Sequence, residues 1–379
     1  MPTNRSGRYV SQPTGYRAFI PAPLPPSPSV EIVGELQQLL SEANLGICRL
    51  DSSILTLPDP DRFVFMFVRA EAVFSSQIEG AQSSLQDVLE AEAKIRSSTR
   101  PKDVVEVVNY VNAMNFGLNS LDHLPISVRL IRQVHERLLR GVRGSRLTPG
   151  DIRTSQNWIG PSNCLLHEAA FVPPPPGEVM EHLDALELFL HAPTHLPLLV
   201  KIALAHAQFE TIHPFLDGNG RIGRLLITFL LFEQGVLSKP VLYLSRYLKK
   251  YRTDYYDALQ QVRDKGAWEN WIRFFLQSVI AVSAEATISV RSILALRERD
   301  RALIAVGLGR GAANAHRVHD YLFQHPLVSV NEIKKLLGVT YSAANTVVAR
   351  LEETGIIIEY TGRTRNRRFI YLKYMKLFE

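Results

Sequence analysis

The sequence predicts a mainly α-helical protein: a helical bundle with one short β-hairpin let into it, followed by a small domain of helices and two β-prone runs. Three observations predict this class. Apolar residues recur at helical spacing in segment after segment. Strand-like pieces in the middle of the chain are confined to residues 157–161 and 171–176. Beyond residue 310 the pattern shortens to three brief helices, a β-run, a basic turn and a second β-run.

In order, residues 1–29 are rich in proline, with Pro21, Pro23, Pro25, Pro26 and Pro28 clustered, and read as an extended arm rather than core. Residues 30–45 carry Ile32, Leu36, Leu39 and Leu40 at helical spacing, with Gly46 placed for a C-cap. Pro58 and Pro60 interrupt the next stretch. A helix over 64–74 then leads into Ser75-Ser76-Gln77-Ile78-Glu79-Gly80, which reads by composition as a solvated helix end. Helical runs follow at 85–95, 104–118 and 125–140, the last with Ile131, Val134, Leu138 and Leu139 on one side. The pieces Asn157-Trp158-Ile159-Gly160-Pro161 and Phe171-Val172-Pro173-Pro174-Pro175-Pro176 flank a loop and suit a hairpin. The polyproline run also has the look of an SH3 ligand, but its place inside the domain argues against that.

Residues 196–212 form a helix with Leu199, Ile202, Ala203, His206 and Phe209 on its buried side. His206 and Glu210 stand four residues apart, a ligand spacing, but no His-Glu-x-x-His pattern is present and the structural reading is preferred. A core helix over 225–232, paired tyrosines at 255–256 and a closing helix over 268–280 complete the bundle. Residues 282–310 read as a charged connector. The helices at 315–323, 330–337 and 341–354, with a cap at Ser329 to Glu332, lead to β-runs at 355–360 and 369–372 around the basic turn 361–368.

The chain has 379 residues, 46% of them hydrophobic, enough for two or three domains with a sizeable core. A formal net charge of +6 suits anionic ligands without by itself indicating nucleic acid. With only Cys48 and Cys164 a disulfide framework is not expected, and a reducing cytoplasm is the expected location. The N-terminus lacks the apolar core of a signal peptide, and the most apolar run, 225–232, is too short to span a bilayer, so no membrane partner is expected.

The chemistry concentrates in His213-Pro214-Phe215-Leu216-Asp217-Gly218-Asn219-Gly220-Arg221-Ile222-Gly223-Arg224. His213 can accept a proton near neutral pH. Asp217 can hold a hard cation through oxygen. Gly218-Asn219-Gly220 can turn backbone N–H groups inward as an anion nest. Asn-Gly is most often a hairpin turn, but a leucine-rich helical pattern follows rather than a strand. Arg221 and Arg224 then share a face of that helix's first turn, beside its positive end. Without an anion this placement would oppose the dipole. The sum is a site for a polyphosphate with a cation beside it and a base at its edge.

The stretch matches, at every specified position, the signature His-x-Phe-x-Asp/Glu-Gly-Asn-Gly-Arg-x-x-Arg, and the chain resembles the Fic family. The resemblance implies a helical bundle around this loop and transfer of AMP from ATP to a Ser, Thr or Tyr hydroxyl of a target protein, releasing pyrophosphate. Carried onto this sequence, it makes His213 the base, Phe215 the core anchor and Asp217 the Mg²⁺ ligand. Gly218, Asn219, Gly220, Arg221, Ile222, Gly223 and Arg224 bind ATP, Arg224 at the γ-phosphate. Tyr256 helps to bound the adenine pocket, and Arg263 stands where some relatives place an adenine-contacting Asn. Residues 157–176 resemble the flap that holds a target segment by strand addition, with Trp158, Ile159 and Gly160 on it.

Many Fic proteins carry an inhibitory Ser/Thr-x-x-x-Glu-Gly/Asn motif, matched here by Ser75, Glu79 and Gly80. The implied mechanism is a bidentate pair between Glu79 and Arg224 that takes the γ-phosphate's place. The C-terminal order resembles a winged helix-turn-helix, with Arg363, Arg365, Arg367 and Arg368 as its DNA contacts. A docking or dimer domain is the alternative, since Arg350 is the only basic side chain on the candidate recognition helix. The expected division is 1–120, an arm and helical region with the inhibitory motif; 121–285, the catalytic domain; 286–310, a connector; and 311–379, the winged domain. The expected function is a self-inhibited protein adenylyltransferase using ATP and Mg²⁺, with a protein target that includes the chain itself as a candidate, and a homodimer by family resemblance. The alternatives are a nucleotide-sensing DNA-binding regulator and an enzyme that removes AMP with the same site.

Overall fold

The computed structural model describes residues 5–95, 101–142, 144–161 and 164–378. Among these residues fifteen α-helices dominate, with two small antiparallel sheets. The helices are α1 (Glu35–Leu55), α2 (Pro60–Ile78), α3 (Leu85–Glu92), α4 (Val104–Ser120), α5 (Val128–Leu138), α6 (Val179–His191), α7 (Leu198–Ile212), α8 (Asn219–Glu233), α9 (Ser245–Lys250), α10 (Arg252–Lys265), α11 (Trp268–Leu308), α12 (Ala312–Leu322), α13 (Val330–Leu337), α14 (Tyr341–Glu353) and α15 (Leu372–Met375). The strands are β1 (Gly7–Ser11), β2 (Arg17–Pro21), β3 (Leu327–Ser329), β4 (Ile358–Glu359) and β5 (Arg368–Ile370).

The N-terminal stretch departs from the extended arm that its prolines suggest. Residues 7–21 close into a hairpin, with Tyr9 opposite Phe19, and the proline cluster begins only where the hairpin ends. Phe19 is fully buried against Tyr9 and Phe171, and its N–H donates to the Val172 carbonyl at 2.9 Å. The hairpin therefore backs the 157–176 segment. That segment is slighter than a full hairpin: Ile159 and Phe171 form a single antiparallel bridge. Pro173 and Pro174 are buried, and their carbonyls accept hydrogen bonds from Gln156 and Arg153, which removes the SH3-ligand reading.

Two helices run longer than their punctuation suggests. Gly46 does not end α1. It lies mid-helix where α1 packs along α11, and a Cβ there would collide with the Ser283 hydroxyl. Its lack of a side chain serves close approach of two helices rather than a cap. The expected closing helix and connector are one continuous 41-residue helix, α11, so position 285 lies within it. By length and composition α11 is apolar enough to cross a membrane. In the fold, Trp271, Phe275, Val279 and Val282 are buried in the core.

The central core joins α7 and α8, which flank the 213–218 loop, to α2 and α4. Pro60 opens α2 at N1, where its missing N–H removes no helical bond. The C-terminal unit carries β3-β5-β4 in that spatial order, with α13 beside β3 and α14 packed on α13. A reciprocal cap between Ser329 and Glu332 opens α13. This unit packs on the first half of α2: Phe63 meets Phe323 with ring centres 4.8 Å apart, and Phe67 meets Phe378 at 5.0 Å. One helix thus has the C-terminal unit against its start and the first turn of α8 against its end.

Candidate active site

The loop from His213 to Gly218 is held from three sides. His213 ends α7 in the left-handed conformation, φ 49°, which is uncommon for a residue with a side chain and persists only where its surroundings impose it. Its carbonyl accepts from Arg153 Nε at 2.9 Å and from Asn157 Nδ2 at 3.3 Å. The Arg153 N–H donates to the Pro214 carbonyl at 3.0 Å. Asn219 bridges the loop with its own side chain: Oδ1 accepts from the Phe215 N–H at 2.8 Å, and Nδ2 donates to the Phe215 carbonyl at 2.7 Å. Phe215 is buried and stacks on His135 with ring centres 3.7 Å apart. His135 Nδ1 accepts from the Gly150 N–H, so its Nε2–H donates to the Asp217 carbonyl at 3.0 Å.

The α8 N-terminus faces the same space. Gly218 has φ 81°, where a side chain would be strained, and lets the chain turn into the helix. The N–H groups of Asn219, Gly220 and Arg221 lie in the first turn and have no intrahelical acceptor. Arg221 and Arg224 are 3% and 2% exposed, so their charges sit in a medium where pairing counts heavily. Ile222 is buried in the core, and Gly223 leaves room for the Glu210 carboxyl, which a Cβ would strike.

Arg224 is taken by the end of α2. Its Nε donates to Ser75 Oγ at 2.8 Å, and its NH2 donates to the Ser75 carbonyl at 3.0 Å and to Glu79 Oε1 at 2.7 Å. The pair with Glu79 therefore runs through one guanidinium nitrogen, not the bidentate fork expected from sequence. Ser75, one turn earlier on α2, occupies the other edge. Burial works to raise the Glu79 carboxyl, but the Arg224 guanidinium overrides it and holds the group below the usual carboxylate range. Gly80 follows with φ 97° and ends the helix. A Cβ at Gly220 would collide with Glu79 Oε1, so that glycine is what admits the carboxylate. Glu71, two turns before Glu79, is buried and held by Ser245 and by Tyr110 at 3.2 Å, and burial pushes its carboxyl up to about 7.

His213 differs from an ordinary imidazole. Burial pushes its pKa down to about 3, with Arg263 and Arg153 adding to the effect. His206 is fixed between the Gly223 carbonyl at 2.9 Å and the Tyr255 hydroxyl at 2.8 Å, which makes it structural. Tyr255 is buried. Tyr256 is 37% exposed, and burial followed by the Glu79 carboxylate raises its pKa to about 12, which puts it near the Arg224 cradle. Arg263 is buried 3.8 Å above the Phe171 ring, with NH2 donating to the Glu210 carbonyl and Nε to Thr211 Oγ1. It ties α10 to the last turn of α7 and to the 157–176 segment.

For a cation, the donor set is narrow. Among the described residues no group of three or more His, Cys, Asp or Glu side chains could hold a metal. Asp217 Oδ1 accepts from the Gly218 N–H at 2.6 Å and lies 3.5 Å from Arg221 NH2. A lone carboxylate beside an anion cradle fits Mg²⁺, which keeps waters and takes substrate phosphate oxygens, and does not fit a metal needing an all-protein cage.

A Fic/DOC family N-terminal model matches residues 37–119 and a Fic/DOC family model matches residues 125–231, together just over half of the chain. The chain belongs to the Fic/DOC family. It is 33% identical over 174 residues to the protein adenylyltransferase Fic of Aedes aegypti, covering 44% of this chain and 30% of that protein. It is 28% identical over 184 residues to a probable protein adenylyltransferase of Aquifex aeolicus, covering 47% and 52%. This chain thus matches about half the length of these relatives or less. The fold is shared with a Fic family protein of Desulfovibrio desulfuricans (TM-score 0.59, 21% identity, covering 90% of this chain and 97% of that one). A Fic domain containing signaling protein of Bacteroides thetaiotaomicron also shares it (TM-score 0.53, 18% identity, 67% and 96%).

Against this Fic frame, the residues singled out in the sequence fall into three groups. His213, Asp217 to Arg221, Arg224, Ser75 and Glu79 surround one cradle, with Tyr256 at its side, whereas Ile222 packs in the core and Gly223 lies against Glu210, so their side of the helix does not face the anion space. Trp158, 40% exposed, donates to the Cys164 carbonyl and stands with Ile159 and Gly160 beside Asn157, whose side chain ties this segment to the His213 and Phe215 carbonyls. The four arginines of the basic turn are elsewhere and unlike one another. Arg363 and Arg365 are exposed. Arg367 donates to Asn345 at 3.0 Å, and Arg368 pairs with Glu332 at 3.0 Å. Arg153, Asn157, His135 and Glu106 were missed. Each is a polar residue inside a loop or amphipathic helix, and only its long-range partner reveals its work.

Proposed function

We propose that the chain is a self-inhibited protein adenylyltransferase that moves AMP from ATP to a hydroxyl side chain of a target protein. The single observation that carries this reading is Arg224, buried in the anion cradle and occupied by Glu79 and Ser75 rather than open to a phosphate. The triphosphate fits the α8 N-terminus, with Arg221 beside its middle and Arg224 at its γ end once Glu79 leaves. The target oxygen attacks the α-phosphorus, the bond to the bridging oxygen breaks, and pyrophosphate departs with that oxygen. His213, unprotonated, takes the hydroxyl proton. Asp217 would hold Mg²⁺, which supplies charge neutralisation on the phosphates when bound.

The half-buried His213, with the Arg263 and Arg153 guanidiniums near it, is a weak base that stays unprotonated at neutral pH. It accepts the proton late, as bond formation to phosphorus makes the attacking oxygen acidic. The flap at residues 157–161 offers backbone for a target segment, which fits a reaction that tolerates varied side chains.

The test uses ATP labelled at the α-phosphate with wild type, Glu79→Gly, and Glu79→Gly with His213→Ala, each with and without cell lysate. Label on protein with Glu79→Gly alone supports the reading and marks the target band. No label in any sample, despite ATP binding, rejects transfer in favour of nucleotide sensing or AMP removal.

A further inference from the structure

Arg221 stands between two carboxylates. Its NH2 lies 3.5 Å from Asp217 Oδ1, and its NH1 lies 3.1 Å from Glu106 Oε2, which comes from the first turn of α4. The guanidinium leans toward Glu106, since 3.1 Å is a hydrogen bond and 3.5 Å is at the limit of one. Arg221 Nε is buried without a partner, so the group is not locked in place by other bonds on that side. Asp217 and Arg221 are four residues apart, a spacing at which a carboxylate and a guanidinium readily close on each other.

Such a closure would be harmful. A carboxylate forked by a guanidinium has its lone pairs and charge already engaged, and it is a poorer ligand for a hard cation. Asp217 is also the one carboxylate of the loop itself. Glu106 opposes the closure by drawing the same guanidinium from the other side.

We propose that Glu106 is a positioning residue that holds Arg221 off Asp217 and so keeps the Asp217 carboxylate available to the divalent cation that accompanies the nucleotide. This rests on the adenylyltransferase reading above. It distinguishes the two carboxylate–arginine pairs of the cradle. Glu79 competes with the nucleotide for Arg224, whereas Glu106 competes with Asp217 for Arg221 and thereby assists.

The experiment compares Glu79→Gly with Glu79→Gly/Glu106→Gln and Glu79→Gly/Glu106→Asp, and wild type with Glu106→Gln, using α,β-methylene ATP for Mn²⁺ binding and ATP labelled at the α-phosphate for transfer. Bound Mn²⁺ is read from the EPR signal of the free ion. Neutralising Glu106 is expected to weaken Mn²⁺ binding by about tenfold, the lower range for a residue that orients a metal ligand. The half-saturating Mg²⁺ for label transfer should rise in parallel, while the rate at saturating Mg²⁺ stays near that of Glu79→Gly. Glu106→Asp, which keeps the charge, should recover part of the loss. Unchanged Mn²⁺ affinity in a folded Glu106→Gln variant overturns the proposal and leaves the contact structural. Faster transfer on Glu106→Gln in the presence of Glu79 overturns it in another way, making Glu106 a second inhibitory carboxylate. Failure of Glu79→Gly itself to bind Mn²⁺ with the nucleotide overturns the underlying reading as well.

Discussion

Two arginine-bearing loops of this chain make opposite use of the same side chain. At the start of α8 Arg221 and Arg224 are buried, and each is met by a carboxylate delivered from a distant helix, Glu106 from α4 and Glu79 from the end of α2. In the C-terminal turn, Arg363 and Arg365 reach into solvent, while Arg367 and Arg368 are tied back to α14 and α13. Burial sets the difference. A charge in the cradle must be paired by the protein or by a ligand, so occupancy there is a competition. A charge on the exposed turn is screened within about 10 Å at moderate salt and acts only by addition. Substitutions in the first region should switch activity; those in the second should tune affinity.

The largest effect is expected at His213. His213→Ala in the Glu79→Gly background should lower transfer by about 10²–10⁴, the range for a lost general base, with nucleotide affinity retained. Persistence of transfer would mean that His213 is not the base. The pH profile sharpens the point. A pKa pushed down to about 3 leaves the proton-accepting form intact as pH falls through the ordinary value near 6.5. Transfer should therefore stay level from pH 8 to about 5, and a fall centred near 6.5 would contradict the burial effect.

Glu79→Gly should come next. Freeing Arg224 should raise transfer by up to about a hundredfold, the penalty associated with about 1 Å of misplacement. Ser75→Ala is a finer probe, because the Ser75 carbonyl and Glu79 remain. Loss of one hydrogen bond worth about 1 kcal/mol should raise basal transfer by about fivefold. If Ser75→Ala instead lowers transfer while Glu79→Gly raises it, then the Ser75 hydroxyl positions Arg224 for the phosphate rather than for Glu79.

The same contrast explains what could be read from the sequence. The loop was legible because its chemistry is local: base, acid, glycines and arginines lie within residues 213–224. The core role of Phe215 came with the family resemblance, and Ile222, expected at the ATP, is instead buried in the core. Glu79 was legible through a motif, but the single-nitrogen geometry was not, since it depends on where Ser75 falls against Arg224. Glu106, Arg153 and Asn157 were illegible because their partners are far away in sequence and nothing marks a polar residue on an amphipathic segment as inward-facing. The N-terminal hairpin was hidden by the prolines that follow it. Phe19 and Tyr9 show their use only once Phe171 is in place. Gly46 was misplaced for a physical reason: a glycine that ends a helix and one that admits a neighbouring helix look alike until that neighbour, α11, is seen.

The smallest effect is expected at the basic turn, where it tests the other half of the comparison. If the C-terminal unit holds duplex DNA, Arg363 and Arg365 are its exposed phosphate contacts, and replacing both with Ala should shallow the slope of log affinity against log salt by about two. Arg367→Ala should behave differently. It removes the bond to Asn345 and the contact with Glu352 at 3.9 Å, so it should disturb α14 more than the salt slope. A slope that ignores Arg363 and Arg365, or an absence of duplex binding at low salt, would make this unit a docking element. Its contacts with the first half of α2, the helix that ends at Glu79, would then be the place to look for its partner's effect on the cradle.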